Sequence, residues 1–145
     1  MTKTVQFCFS AFTFVVCLLA GWPTHAQTVG LRVEPMPLEA SDPQAKRAAA
    51  LVTQILAGDK PGALKTLRAE ADGAFLKNPE LEKMLDAQIA RLGKAKYAIS
   101  RFETGHGADV VVHLEANGGD ETNIVVRFNE AKKIVGFAQV QIDRG

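Results

Sequence analysis

His113 is the residue of this chain whose type and neighbours best suit acid–base or metal chemistry. It shares a period-two spacing with Asp109, Val111 and Glu115, so the spacing predicts that these side chains lie on one side of a β-strand. A histidine flanked by carboxylates can be oriented as a general base or can bind a metal ion. The same spacing is typical of a solvated strand face with mixed charge, and we favour this interpretation.

A metal centre is not expected from the remaining residues. Metal sites in proteins need three or four converging ligands. His106 is the only other histidine after residue 26, and both cysteines, Cys8 and Cys17, precede that point. We therefore predict no metal site and no cofactor.

Arg127 is the second candidate, because it sits in an alternating run from Asn123 to Phe128. The alternation places Arg127 on the side of the strand that also carries Val125, where it would face His113 or Glu115 on the neighbouring strand. One interpretation is a cationic anchor for an acidic ligand. The interpretation we favour is a salt bridge on the surface or in a dimer interface.

Tyr97 and Arg101 complete the candidate ligand-binding set with His113 and Arg127. Tyr97 is the only tyrosine, and we expect it at the edge of the core with its hydroxyl in water. Alternation is irregular between Ile99 and Phe102, so the face that Arg101 occupies stays open. We assign a catalytic role to none of these residues.

The composition excludes other classes of site. The formal net charge is +1, and basic residues do not cluster with aromatic ones, so neither nucleic acid nor an anionic membrane is an expected partner. Gly105-His106-Gly107 is too short to bind phosphate, and no helix follows it. The Gly-x-Ser-x-Gly pattern of serine hydrolases does not occur.

Four β-rich runs must position the candidates: 96–103, 109–116, 123–128 and 134–142. Short turns join them, the clearest being Asn117-Gly118-Gly119-Asp120, so we predict an antiparallel meander. Ile134 and Phe137 both have the character of buried residues, although strict alternation would separate them. Gly136 therefore predicts a bulge in the last strand.

Three helices should precede the meander. Ser41-Asp42-Pro43-Gln44 predicts a helix start in which Ser41 or Asp42 is the cap and Gln44 completes a capping box with Ser41. Gly58 predicts a left-handed end of this helix. Asp59-Lys60-Pro61 begins the second helix, and Ala74-Phe75-Leu76 anchors the connection that follows it. Asn78-Pro79-Glu80 begins the third, which Gly93 closes. The pattern indicates an α+β fold.

The first 26 residues are predicted to be a secretory signal peptide. An apolar run from Phe7 to Leu19 is too short to span a bilayer, and Thr24-His25-Ala26 carries the small residues of a cleavage site. Residues 27–41 are interpreted as an extended leader, and 42–145 as a single domain. We expect an exported protein, periplasmic or secreted, that has no membrane association after cleavage.

The order of these landmarks resembles that of small exported bacterial domains of the cystatin-like, nuclear-transport-factor-2-like superfamily, most closely a family of unknown function. The residues that carry the resemblance are Ala48 to Leu56, Gly58-Asp59, Leu92-Gly93, Val125 to Phe128 and Lys133 to Phe137. The resemblance implies three helices packed on a curved four-stranded antiparallel meander that leaves a cone, and frequent dimerisation through the sheet. Relatives include isomerase-like enzymes, in which a pocket tyrosine donates to an oxyanion, and polyketide cyclases of the SnoaL type.

We expect a non-catalytic binding or interaction module, which either holds a small apolar ligand in the cone or pairs through its sheet. The predicted dimer face contains Val111, Val125, Val135 or Phe137 together with His113, Arg127 and Gln139. One alternative is a small isomerase- or cyclase-like enzyme that uses Tyr97, His113 or Asp109. Another is an accessory domain that docks onto an exported hydrolase. The fold alone does not decide among these functions.

Overall fold

The computed structural model describes residues 35–141, in which all the helices lie between the first strand and the second along the chain. The elements are, in order, β1 Pro37–Leu38, α1 Pro43–Leu56, α2 Lys60–Glu70, α3 Gly73–Leu76, α4 Leu81–Leu92, β2 Tyr97–Thr104, β3 Val110–Ala116, β4 Glu121–Phe128 and β5 Ile134–Val140. The predicted signal peptide, the first part of the leader and the predicted end of the last strand at Ile142 lie outside the described residues.

The predicted α+β class is confirmed for this part of the chain. Its strands form a five-stranded antiparallel sheet in the order β1-β2-β3-β4-β5. The prediction of four strands was one too few, because Pro37 and Leu38 in the leader pair with Glu103 and Phe102. The prediction of three helices also missed α3, where Ala74-Phe75-Leu76 forms a single helical turn rather than a plain connection.

Local capping chemistry accounts for the start of α1. The Asp42 carboxylate accepts hydrogen bonds from the backbone N–H groups of Gln44 and Ala45, and Pro43 occupies the first helical position. The predicted capping box between Ser41 and Gln44 is wrong. The Gln44 side chain instead donates to the carbonyl of Ala108, which ties α1 to the turn before β3.

The core lies between the helices and one side of the sheet. Helix α1 packs against β2 and β3, and also against α2 and α4. The largest side chains that are fully buried there are Leu51, Ile55, Leu67, Leu85, Leu92, Leu114, Ile124 and Ile134. We call the side of the sheet that packs on the helices its inner face.

Two irregularities in the sheet determine which side chains reach each face. The register shifts between Ile99 and Arg101, so both Ile99 and Phe102 pack toward the core. A second shift, where Phe128 pairs with Ile134 and Arg127 with Gly136, confirms the predicted bulge in the last strand. Both Ile134 and Phe137 are buried as a result.

Candidate functional site

The candidate residues lie mainly on the side of the sheet that faces away from the helices, which we call the outer face. Strand alternation and register assign its members. They are Ala98, Arg101, Glu103, Asp109, Val111, His113, Glu115, Glu121, Asn123, Val125, Arg127, Gly136, Ala138 and Val140. Three of the four candidate ligand-binding residues therefore share this face.

His113 forms a close pair with Glu103 on the neighbouring strand. Its Nε2 atom lies 2.7 Å from Oε2 of Glu103, and its side chain is only 5% exposed. Glu103 is paired in register with Val111, so its carboxylate reaches His113 diagonally across the two strands. On its other oxygen, Oε1, Glu103 accepts a hydrogen bond of 3.3 Å from Nε of Arg101. The three side chains form one connected cluster.

The environment of Glu103 changes the pKa of its carboxyl group. Burial by itself would raise this pKa, since it disfavours the charged form. The hydrogen bond and charge of His113, followed by those of Arg101, outweigh burial, so the pKa of Glu103 is lower than its ordinary value of 4.5. The cluster therefore favours Glu103 as a carboxylate.

The interpretation of His113 as part of a solvated strand face is wrong. Both Val111 and His113 are buried, at 5% and 4% residual exposure, although they point away from the helical core. The exposed residues with mixed charge lie around them, with Arg101 and Glu115 among the exposed positions. The centre of the outer face is thus shielded from water, and only its periphery is wet.

Arg127 also has a different partner from the predicted one. Its Nε donates to Oδ2 of Asp109 at 3.2 Å, not to His113 or Glu115. The Arg127 side chain is 67% exposed, whereas that of Asp109 is 12% exposed. The stem of Arg127 lies over Gly136, where an added Cβ atom would sit 3.7 Å from its Cδ. The predicted surface salt bridge of Arg127 is therefore present, with Asp109 as its partner.

Tyr97 lies apart from the other candidates. It pairs with Ala116 and packs against the hydrophobic core from a half-buried position on the inner face. His113 and Asp109 belong to the opposite face, so the sheet itself separates them from Tyr97. The structure brings together Arg101 and His113, places Arg127 beside Asp109, and leaves Tyr97 on its own.

An open groove of about 680 Å³ runs over the outer face toward β5 and on to Phe75 and Met84 of the helices, with the inner-face residue Phe137 also in its lining. Side chains from β3, β4 and β5 make its surface mostly apolar, with the Arg127–Asp109 pair at one side. The residues along it are Phe75, Asn78, Met84, Gly105, His106, Asp109, Val111, Val125, Arg127, Val135, Gly136, Phe137, Ala138 and Val140. Its volume falls in the range of small-molecule sites, roughly 300–1,000 Å³.

Two residues of the predicted dimer face lie on the wrong side of the sheet. Phe137 is 3% exposed and belongs to the core cluster, where it meets Phe75 edge to face with ring centroids 6.1 Å apart. Gln139 pairs in register with Ile124, and its amide donates to the Thr122 hydroxyl. The bulge before Gly136 reverses the alternation that had grouped them with Val135.

Sequence reasoning missed Glu103 and Asp109 as the partners of His113 and Arg127. One signal could have identified Asp109. Counting outward from Gly118 alone places Arg127 across from Asp109, next to the observed pair of Val110 and Val126. No such count finds Glu103, since the bulge between Ile99 and Arg101 shifts the register of β2.

Within residues 35–141, no group of three or more histidine, cysteine, aspartate or glutamate side chains is arranged to hold a metal ion. No helix in that part of the chain is both long enough and apolar enough to cross a membrane. Comparisons with protein-family models, curated proteins and solved structures give no match to this chain.

Proposed function

We propose that this chain is an exported, non-catalytic binding domain that takes a small apolar ligand with an acidic end in the groove on its outer face. The observation that carries the proposal is the groove itself, in which Val111, Val125, Ala138 and Val140 lie beside Arg127. Apolar walls with a few polar groups at one side are typical of small-molecule sites.

The outer face suits a ligand better than the inner one. Leu51, Ile55, Leu85, Ile124 and Val126 are fully buried between the helices and the sheet, so side chains occupy much of the space where a cone would lie. Burial of an apolar ligand surface against the outer valines contributes about 25 cal/mol for each Å² removed from water. The free energy of binding would come mainly from that contact.

Arg127 is suited to the acidic end. Its Nε–H is used by Asp109, but a guanidinium has five N–H donors, and this side chain is largely exposed. The remaining donors can bind a carboxylate in the two-pronged geometry that arginine favours. Asp109 would hold the guanidinium in place for that contact.

The arrangement of polar residues supports a non-catalytic role. An isomerase- or cyclase-like reaction would need an oxyanion donor and a base on one substrate. Tyr97 and His113 occupy opposite faces of the sheet, and Glu103 engages the Nε2 atom of His113. The proposed role therefore depends on shape and charge, not on proton transfer.

The proposal extends to family and compartment. We propose membership of the cystatin-like, nuclear-transport-factor-2-like superfamily, which the helices before an antiparallel meander support. Export to the periplasm or beyond rests on the apolar run and the cleavage pattern of the first 26 residues.

Calorimetric titration with dodecanoate and with dodecanol tests the function. We expect dodecanoate to bind to the parent and Val125→Asp to abolish the binding of both probes. Arg127→Gln should weaken the affinity for dodecanoate about tenfold, or about 1.4 kcal/mol, and leave the affinity for dodecanol unchanged. Ala90→Asp, on the exposed side of α4, is the matched control and should bind as the parent does. Binding that Val125→Asp leaves intact would place the ligand elsewhere, and no binding of either probe would remove the proposal.

A further inference from the structure

The two edges of the sheet differ in how they are protected. At the β2 edge, β1 covers Phe102 and Glu103, and the Thr104 N–H donates to the carbonyl of Met36. The uncovered half of β2 carries the charged Arg101 and a bulge at Ser100. Covers, charges and bulges are the devices by which proteins keep an edge strand from pairing with another chain.

The β5 edge is protected only where the strand begins. Ala71 forms a parallel bridge with Ile134, and the Asp72 N–H donates to the Ile134 carbonyl. The bulge at Val135 follows at once. From Gly136 to Val140, within the part of the chain that the structure describes, the strand pairs with β4 alone.

This free segment lacks the usual barriers to association. Gly136-Phe137-Ala138-Gln139-Val140 contains no charged residue and no proline. Its pairing with β4 is regular from Gly136 onward, so no further bulge twists the edge away. An uncharged regular edge offers its backbone N–H and C=O groups to another strand.

We infer that this edge pairs with the same edge of a second copy of the chain, in an antiparallel register centred on Ala138. Ala138 then lies opposite Ala138 of the second copy, Gly136 opposite Val140, and Phe137 opposite Gln139. No charge opposes a like charge, and the largest outer side chain meets the glycine. The segment is therefore complementary to itself, as a twofold interface requires.

The parallel bridge between Ala71 and Ile134 determines this register. A pairing centred on Phe137 would bring Val140 of the second copy opposite Ile134, where Ala71 already lies. Centring on Ala138 keeps the second copy within the free segment. Val140 of the second copy would then lie beside the Arg127 stem that crosses Gly136.

The pairing has a consequence for the outer face. In a continuous antiparallel sheet the twofold axis stands perpendicular to the sheet, so the outer faces of both copies point the same way. Ala138 and Val140 line the groove, and the two grooves would meet at the axis. The pairing itself stands whether or not the groove takes a ligand.

Single cysteines introduced into the full chain test the interface. The background carries Cys8→Ser and Cys17→Ser, so that no native thiol remains. Directly opposite residues of antiparallel strands have Cα atoms about 4.5–5.5 Å apart, within reach of a disulfide. We expect Ala138→Cys to form a disulfide-linked dimer on mild oxidation. Ala98→Cys at the β2 edge and Glu115→Cys near the end of β3, both exposed outer-face positions, should form no disulfide-linked dimer. The absence of a disulfide-linked dimer for Ala138→Cys, or equal cross-linking at all three positions, would overturn the inference.

Light scattering supplies an independent measurement. At tens of micromolar the parent should have twice the chain mass of 15.6 kDa. Ala138→Lys should be monomeric, because a charge in the middle of an edge strand opposes pairing. Its melting temperature, extrapolated to low protein concentration, should equal that of the parent. Ala98→Lys, the matched change at the other edge, should stay dimeric. A monomeric parent contradicts the inference, even if it binds an added extended peptide.

Discussion

His113 and Glu103 lie on neighbouring strands with Nε2 and Oε2 only 2.7 Å apart, on the side of the sheet that does not pack on the helices. Both side chains are largely shielded from water, with 5% and 18% of their surface exposed. A hydrogen bond with a carboxylate is stronger than a neutral one, and more so where water is excluded. This pair links β2 to β3 at the centre of the outer face.

Replacing Glu103 with glutamine should make stability less dependent on pH. The folded pKa of Glu103 lies below its ordinary value of 4.5 because His113 and Arg101 favour the charged form despite burial. A carboxyl group whose pKa is lower in the folded than in the unfolded protein stabilises the fold at pH values above its unfolded pKa. This stabilisation is lost as the pH falls through the folded pKa. The parent should therefore melt at a higher temperature than Glu103→Gln at pH 7, and the difference should shrink below pH 4.5.

The control is Glu121→Gln, which removes an exposed carboxylate from the same face. Its difference from the parent should change little over the same range. Thermal unfolding followed by circular dichroism from pH 3 to pH 7 measures both. A Glu103→Gln difference that stayed constant with pH would show that the carboxylate charge does not stabilise the fold.

Replacing Arg127 with alanine should cost little stability. The side chain is 67% exposed, and exposed ion pairs are typically worth about 0–1 kcal/mol. Asp109 is the less exposed partner, so Asp109→Ala should cost more, because it also removes a largely buried side chain. Urea unfolding of the two variants compares them directly, and an Arg127→Ala loss above about 2 kcal/mol would contradict the assignment.

Replacing Gln88 with methionine should stabilise the domain. Gln88 lies on the buried side of α4, and its Oε1 has no hydrogen-bond partner among the described residues. An unpaired buried polar atom costs about 1–3 kcal/mol, and methionine has a similar length with good helix propensity. We expect a gain of about 1 kcal/mol in urea unfolding. Ala87→Met, on the exposed side of the same helix, should change stability by less than about 0.5 kcal/mol.

Replacing Gly58 with alanine should destabilise the end of α1 through the backbone alone. Gly58 has φ of +70°, and an added Cβ would meet only Ile89 Cγ2, at an ordinary 3.9 Å. The left-handed conformation costs a residue with a side chain about 1–2 kcal/mol. Gly73→Ala is the matched control, because no atom lies within 4 Å of the added Cβ and φ is not positive. Equal melting temperatures for the two variants would refute the backbone argument.

Helix ends and sheet irregularities were predictable because they depend on neighbours in sequence. Asp42 caps α1 through backbone groups two and three residues away, and the positive φ of Gly58 follows from its place after the helix. The bulge in β5 was predictable for a similar reason. Ile134 and Phe137 cannot both be buried on one face without an extra residue between them.

The α+β order, the limits of the main helices and the alternation of β3 and β4 follow from the sequence alone. The burial of His113 beside Glu103, the pairing of Arg127 with Asp109 and the addition of Pro37–Leu38 to the sheet are apparent only in the folded chain. The two groups of features differ in how far apart along the chain the interacting residues lie. Helix caps and alternation arise from bonds and side-chain directions within a few residues, whereas partners across strands depend on register, and each bulge shifts that register for every residue beyond it.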